Sequence, residues 1–524
     1  MFQSVFAKKI DFEPKAFQEE FGSVINSLKD NLPFIAPELV LVGAICVLIL
    51  AGLFVPRRDQ KGSLGLFSLV ALLGAGWLAC SVGTSHFPGL EKPDTLFQGM
   101  IAFDSFAVFF KALFLLAGAV VVIQTYLSHE FEGFAMGEYY SLMLASLLGC
   151  CLLAAATDMV MIYLALELVS IPTYILVIYR KADKRATESA LKYAIYGSVA
   201  GGVMIYGLSL FYGLTGSTAL TSLSTISMEG ANAAVVVIAG FLVFAGFAYK
   251  MAAVPMHFWC PDVYEGAPIP VTSYLSVASK AAGFAAFVRF MDAFGLGEQI
   301  RIAGGESISI QWVEVVAIIA AVTMTFGNLS ALFQDNVKRM LGYSSIAHAG
   351  YLLMGVVGMK GIAGDVEGFQ AISFYFLSYL FMNLGAFTVV IVIASRTGAE
   401  NIESYKGLGP RMPFRAACLA IFLVGLIGLP PTGGFTGKFM LLKVVILQKY
   451  YWLAIVAGIN TAISVYYYAR IIKNMWLEKG SSTEQILASP LGVSVIGLQA
   501  AMVLVLGVFF SPFVDIIQRI SFLS

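Results

Sequence analysis

The sequence predicts an all-α polytopic membrane protein of about fourteen transmembrane helices, and three observations carry that prediction. Of its 524 residues 59% are hydrophobic and only 12% charged, with a mean hydropathy of +0.84, whereas soluble domains carry roughly 25% charged residues. The apolar residues gather into long runs, and about 20 of them suffice to cross a ~30 Å hydrocarbon core. No polar linker of the kind that joins soluble domains interrupts the runs. Thirty-two Lys and Arg balance thirty-two Asp and Glu, so no net field points to nucleic acid.

Residues 1–33 are mixed in charge and lack the apolar stretch of a signal peptide. Within them Phe17, Phe21, Val24, Ile25 and Leu28 recur at helical spacing, which predicts a short amphipathic surface helix. Beyond Pro33 fourteen apolar runs follow, near 34–55, 62–84, 103–127, 138–157, 159–179, 190–213 and 232–255, then 270–291, 312–333, 340–359, 369–395, 414–442, 450–474 and 491–514. An even number places both termini on one side. Sixteen basic residues, among them Arg57, Arg58, Arg180, Lys181, Lys338 and Arg339, fall in or beside the odd-numbered loops, against five in or beside the even-numbered ones. Lys and Arg accumulate on the cytoplasmic side, so both termini are expected outside, although four lysines in the N-terminal tail run against that sign.

Two runs are interrupted by proline. One reads AYKMAAVPMHFWCPDVYEGAPIP, with Pro255 and Pro261; the other reads GLIGLPPTGGFTGKFMLLK, with Pro430 and Pro431. Proline removes a backbone donor and clashes with the preceding turn, and in lipid the freed carbonyls must find partners in protein or water. Pro255 and Pro430 are 175 residues apart, and runs four and nine begin 174 apart. Runs four to eight (138–292) and nine to thirteen (312–478) therefore read as two five-helix units, preceded by runs one to three (34–132) and followed by run fourteen and the C-terminus (490–524). Five is odd, so tandem copies are expected to be inverted. Paired broken helices in inverted repeats point to a transport site near the midplane.

Charges inside spans cost ~2.5–3.5 kcal/mol each even on insertion scales, yet several stand there. Glu167 and Lys280 are mid-span, Lys250 lies just before Pro255, and Lys438 follows Pro430 and Pro431. A structural ion pair is the plain alternative for Glu167 and Lys280. Lys192 begins the sixth run, where a lysine also snorkels to the interface. His348 reads either as a proton relay or as a hydrogen-bonded core histidine. Asp104 and Lys111, seven apart on one helix face, read as an ordinary helix-end pair. His257, Asp262 and Glu265 have no metal-ligand spacing and read as loop or gate structure. The six cysteines include no CxxC pair and read as small packed hydrophobes, so no metal site is expected. Proton transfer suits these residues. Moving a proton against 100 mV costs about 2.3 kcal/mol and one pKa unit corresponds to about 1.4 kcal/mol, so making or breaking one Lys–Glu contact has the right energy.

KMAAVPMHFWCPDVYEGAPIPVTSYLSVASKAAGF, with NVKRMLGYSSIAHAGYLLMG and GLPPTGGFTGKFMLL, resembles the chain N family of the proton-pumping NADH-quinone oxidoreductase, respiratory complex I, over roughly residues 34–515. Chains L and M and the Mrp-type cation/proton antiporters share the fourteen-helix plan, but tend to read LPDAM or LPDAH where this chain reads CPDVYEGAP. The resemblance implies a proton-translocating subunit of an NAD(P)H- or ferredoxin-quinone oxidoreductase in a bacterial inner membrane. Glu167, Lys250, Lys280 and Lys438 match the family's proton-transfer residues, and Lys192 matches an accessory lysine. The chain itself is then expected to hold no cofactor; NADH, FMN, iron–sulfur clusters and quinone belong to partner subunits. The charged stretch of about 33 residues at the N-terminus is longer than in many relatives. An independent cation/proton antiporter would use the same charges, and a purely structural membrane anchor would need none of them.

Overall fold

The computed structural model describes residues 29, 31–83, 95–226, 230–295, 300–302, 308–359, 367–398, 400–480, 485 and 489–520. The helix expected within residues 17–28 lies outside them. The first six runs are α1 (Ala36–Phe54), α2 (Arg57–Gly83), α3 (Ser105–Leu127), α4 (Met136–Ala155), α5 (Met159–Val177) and α6 (Lys184–Thr215). The seventh is α7 (Gly230–Met251), followed by the short α8 (Trp259–Gly266), and the eighth is α9 (Ile269–Phe294). Then come α10 (Trp312–Leu332), α11 (Val337–Val357), α12 (Glu367–Thr397), α13 (Pro413–Ile427), α14 (Gly433–Leu447), α15 (Tyr451–Trp476), α16 (Pro490–Val508) and α17 (Ser511–Gln518). Two small antiparallel hairpins, Thr95–Leu96 with Ile101–Ala102 and Ile300–Ile302 with Ile308–Ile310, lie in loops.

Thirteen of the fourteen runs are helices long and apolar enough to cross a membrane. The twelfth is divided between α13 and α14, of 15 residues each, and 15 residues rise only about 22 Å. Neither half crosses alone. The seventh run breaks earlier than its apolar composition suggests: α7 stops at Met251, four residues short of Pro255, and Ala252 turns to φ +57°. A proline disfavours the helical conformation in the residue before it, and here the chain leaves the helix upstream. At the second break Gly428 supplies the left-handed residue (φ +86°) that closes α13, as glycine commonly does beyond a helix C-terminus.

Burial sorts the helices. α9 is enclosed along its whole length and α11 and α12 almost so, whereas α1, α2, α15 and α16 turn most of their surface outward. Large apolar side chains such as Leu53, Phe54, Trp77 and Ile455 are exposed on those outer helices, as lipid-facing surfaces require. Small residues permit close crossings: a Cβ on Gly137 of α4 would stand 2.8 Å from Gly52 Cα of α1, a backbone approach that larger residues prevent. Polar side chains join other helices, as where Gln124 of α3 donates to Leu384 O and Thr388 Oγ1 of α12 at 2.9 and 3.0 Å.

The expected pairing of Asp104 with Lys111 is not what the fold makes. Asp104, which caps α3, instead takes two bonds from Arg289 near the end of α9, at 2.7 and 2.8 Å. Lys111 pairs with Glu38 of α1 at 2.6 Å. Each finds a better-placed partner on another helix, and both pairs are buried. Sequence spacing sees only contacts along one helix, so long-range partners escaped it.

Breaking a buried ion pair by removing one partner costs ~3–5 kcal/mol, since the other charge is left without compensation. Asp104→Ala is therefore expected to destabilise the chain by about that amount, and Glu38→Ala likewise. Thermal unfolding in detergent measures it; midpoints equal to wild type would remove these pairs as determinants of helix docking.

Candidate functional site

The site begins on α5. Asp158 caps this helix through Val160 N and Met161 N at 2.9 and 3.2 Å, and Pro172 interrupts its hydrogen-bond ladder within the span. Glu167 and Ser170 stand one turn apart. Glu167 is half-buried, with its carboxylate against Gly201 of α6: a Cβ there would lie 2.7 Å from Oε1. Lys250, in the last turn of α7, is fully enclosed and donates to Ser170 Oγ at 3.0 Å. Ser170 passes its own hydrogen to Leu166 O at 2.7 Å. Glu167 and Lys250 lie within electrostatic reach and form no direct ion pair.

The Lys250 stem packs on α9, where a Cβ at Gly283 would come within 2.9 Å of its Cγ. One turn earlier on α9 stands Lys280, immediately after a π-helical stretch over Leu275–Ser279. Such wide turns are frequent at functional sites. Lys280 is buried and donates to Ser345 Oγ of α11 at 2.7 Å, lies 3.7 Å from Cys260 Sγ of α8, and sits 5.5 Å from the centre of the Tyr264 ring. Among the described residues it has no carboxylate partner, so the ion-pair alternative does not describe it.

α11 carries the row onward. Ser345, His348 and Tyr351 recur every three residues on one face of this enclosed helix. His348 Nδ1 meets Tyr375 OH at 2.5 Å and Nε2 meets Tyr468 OH at 3.3 Å, and Tyr468 OH also hydrogen-bonds to Ser344. Its ring lies 5.0 Å from that of Tyr379. His348 is therefore a hydrogen-bonded core histidine, standing between Ser345 and Tyr351 on this face. Lys438 of α14 donates to Leu426 O and Ile427 O at 3.1 and 2.9 Å, and sits 4.2 Å over the Tyr351 ring. Those two carbonyls end α13, where the helix dipole favours a cation. The break at Pro430 and Pro431 frees them, and the lysine satisfies them.

Lys192 stands apart from this row. It pairs with Glu188 at 2.8 Å and with Asp262 of α8 at 2.7 Å. Asp262 also holds Arg339 of α11 at 2.6 Å, and Arg339 reaches Glu265 at 3.0 Å. The 257–265 stretch, read as loop or gate structure, thus contributes a carboxylate clasp that joins α6, α8 and α11. His257 is not part of it: its ring lies 4.4 Å from both Phe258 and Phe326.

Sequence reasoning named the charges and missed their polar company. Ser170 had a signal, since it is one turn from Glu167 on a span. Ser345, Tyr264 and Cys260 had none, because their meeting with Lys280 depends on how three helices pack.

The enclosed charges and two broken helices define an antiporter-like polytopic membrane protein. Residues 156–464 match the family described as NADH:quinone oxidoreductase/Mrp antiporter, transmembrane. The chain is 44% identical over 506 residues to NADH-quinone oxidoreductase subunit N of Chlorobium chlorochromatii, covering 95% of this chain and 96% of that one. It is also 44% identical to subunit N of Anaeromyxobacter sp., covering 95% and 98%. A chain of respiratory complex I from Thermus thermophilus superposes with a TM-score of 0.74 at 27% identity, covering 91% of this chain and 98% of that one. The chain belongs to the NADH:quinone oxidoreductase/Mrp antiporter family of membrane subunits.

The closeness of Gly201 to Glu167 yields a paired test. Gly201→Val displaces the carboxylate, whereas a Cβ added at Gly202 meets nothing within 4 Å, so Gly202→Val is accommodated. Proton pumping by the assembled complex should fall severalfold in the first and stay at wild-type level in the second. Equal activities would show that the position of Glu167 is immaterial.

Proposed function

We propose that this chain is a proton-translocating membrane subunit of a complex I-type NAD(P)H- or ferredoxin-quinone oxidoreductase. Protons pass along the row from Glu167 through Lys250 and Lys280, past His348, to Lys438. The observation that carries this reading is the company of the three lysines: each is buried beside hydroxyls, carbonyls or sulfur, and none contacts a carboxylate among the described residues. An ammonium held this way can lose and regain its proton, because no fixed anion locks it in the charged form. Lys192, held by Asp262 and Glu188, serves as an accessory residue at the edge. Pro255, Pro430 and Pro431 create the breaks beside which Lys250 and Lys438 stand, and at the second the lysine meets the freed carbonyls. The two five-helix units read as inverted repeats, since each contains one break with a lysine at it. Redox chemistry, with NADH or ferredoxin as donor, FMN, iron–sulfur clusters and quinone, takes place in partner subunits and drives the row through lateral contacts. The membrane is the bacterial inner membrane, with both termini outside.

Positioned proton-transfer groups contribute ~10²–10⁴-fold, so Lys250→Ala and Glu167→Ala should each lower proton pumping and coupled quinone reduction about tenfold or more. Wild-type rates in both, in a complex shown to contain the chain, would remove the assignment. The orientation has its own test. Lys181→Cys should react with an impermeant maleimide only from the cytoplasmic side and Lys449→Cys only from outside; the reverse pattern would invert the topology.

A further inference from the structure

The enclosed Lys280 faces an unusual set of neighbours. The titratable groups around it and Cys260 are Tyr264 on α8, Tyr193 on α6, Tyr379 on α12, His348 on α11 and His257 at the first break. Among the described residues every one is a phenol or an imidazole. The sulfur of Cys260 receives a bond from the Lys280 nitrogen at 3.7 Å, lies 3.6 Å from Ser345 Oγ, and is itself buried. A parallel juxtaposition occurs at Lys250, where the buried Cys150 of α4 is within electrostatic reach and meets Tyr274 OH at 3.5 Å.

A buried ammonium without an anionic partner is costly. A carboxylate would relieve that cost but hold the proton firmly on the nitrogen, since the reference acidities of carboxyl and ammonium differ by about six pKa units. Thiol and ammonium differ by only about two, so one proton can sit on either atom at modest cost.

We propose that Cys260 is a proton-carrying residue of the row, its thiol serving as the acidic partner of the Lys280 amine. This rests on the reading that Lys280 lies in the proton path. Loaded, the pair is ammonium and thiol, with net charge +1. Unloaded, the thiol proton has moved on through the Ser345 hydroxyl, which releases its own hydrogen as it takes one up, toward His348, the next base on α11, and the pair is left as ammonium–thiolate with net charge zero. No electron moves, and the only bonds exchanged are N–H, S–H and O–H.

Infrared difference spectroscopy of the intact complex in native membranes tests this, because the S–H stretch falls where other protein bonds do not absorb. Between acidic and alkaline buffer the wild-type complex should lose and regain an S–H band that is missing from Cys260→Ser and no longer varies in Lys280→Met. Should Cys260→Ser fail to assemble, Cys260→Ala supplies the assignment. Pumping in Cys260→Ser should fall about tenfold, less than the ~10²–10⁴ of a positioned acid–base group because the lysine remains. A Cys260 band that never changes, or full pumping in Cys260→Ser, overturns the proposal. Full pumping in Cys260→Ser with Lys280→Met blocked removes the thiol alone; full pumping in Lys280→Met removes the proton-path reading itself.

Discussion

The bilayer offers no water to a backbone group or a charge, and this constraint organises the whole molecule. Any carbonyl released by a helix break, and any ammonium placed within a span, must be met by the protein itself. Here the two needs answer each other. The break after α13 leaves the carbonyls of Leu426 and Ile427 without helical donors, and Lys438 donates to both. At the first break the lysine belongs to the ending helix, and Lys250 reaches sideways to a serine on α5. A broken helix without a donor, or a lysine without an acceptor, would carry a penalty of several kcal/mol. Together they form a polar centre that the surrounding helices can enclose.

Enclosure is the second requirement, and the arrangement of helices meets it. α9, α11 and α12 carry Lys280, Ser345, His348 and Tyr375 because they are the helices the bundle surrounds. Outer helices spend their surface on lipid. The regular spacing of Ser345, His348 and Tyr351 along α11 gives one helix face a polar track about 9 Å long. The clasp of Asp262, Lys192 and Arg339 ties the short α8 to its neighbours. That fixes the segment from which Cys260 and Tyr264 reach Lys280.

Much of this is legible in the sequence alone, for a physical reason. Charge is so scarce in the sequence that each mid-span Lys or Glu stands out, and apolar run length sets the number of crossings. Proline placed both breaks, although the end of α7 at Met251 shows that a proline acts several residues upstream of itself. What could not be read was lateral pairing. Asp104 and Lys111 share a helix face yet bind Arg289 and Glu38, which lie 185 and 73 positions away. Lys338 and Arg339 read as topology signals, and the fold also uses both, with Glu400 at 3.2 Å and with Asp262. The cysteines read as packing, since a thiol inside a span carries no sign in the sequence of which side chain it will face.

These pairings separate two kinds of buried charge by their partners. Lys111, Arg289 and Lys338 each touch a carboxylate, and such pairs hold helices in register because neither ion can leave without exposing the other. Lys250, Lys280 and Lys438 touch hydroxyl, sulfur, carbonyl and aromatic ring instead. Dipoles and polarisable groups stabilise an ammonium enough to be tolerated, but not so strongly that the neutral amine becomes inaccessible. Glu167 fits the same logic from the other side: it is the one carboxylate of the row, within electrostatic reach of Lys250 but not bonded to it. Had the two met directly they would resemble Glu38 and Lys111, a fastening between helices. Held apart, they influence each other's proton without trapping it.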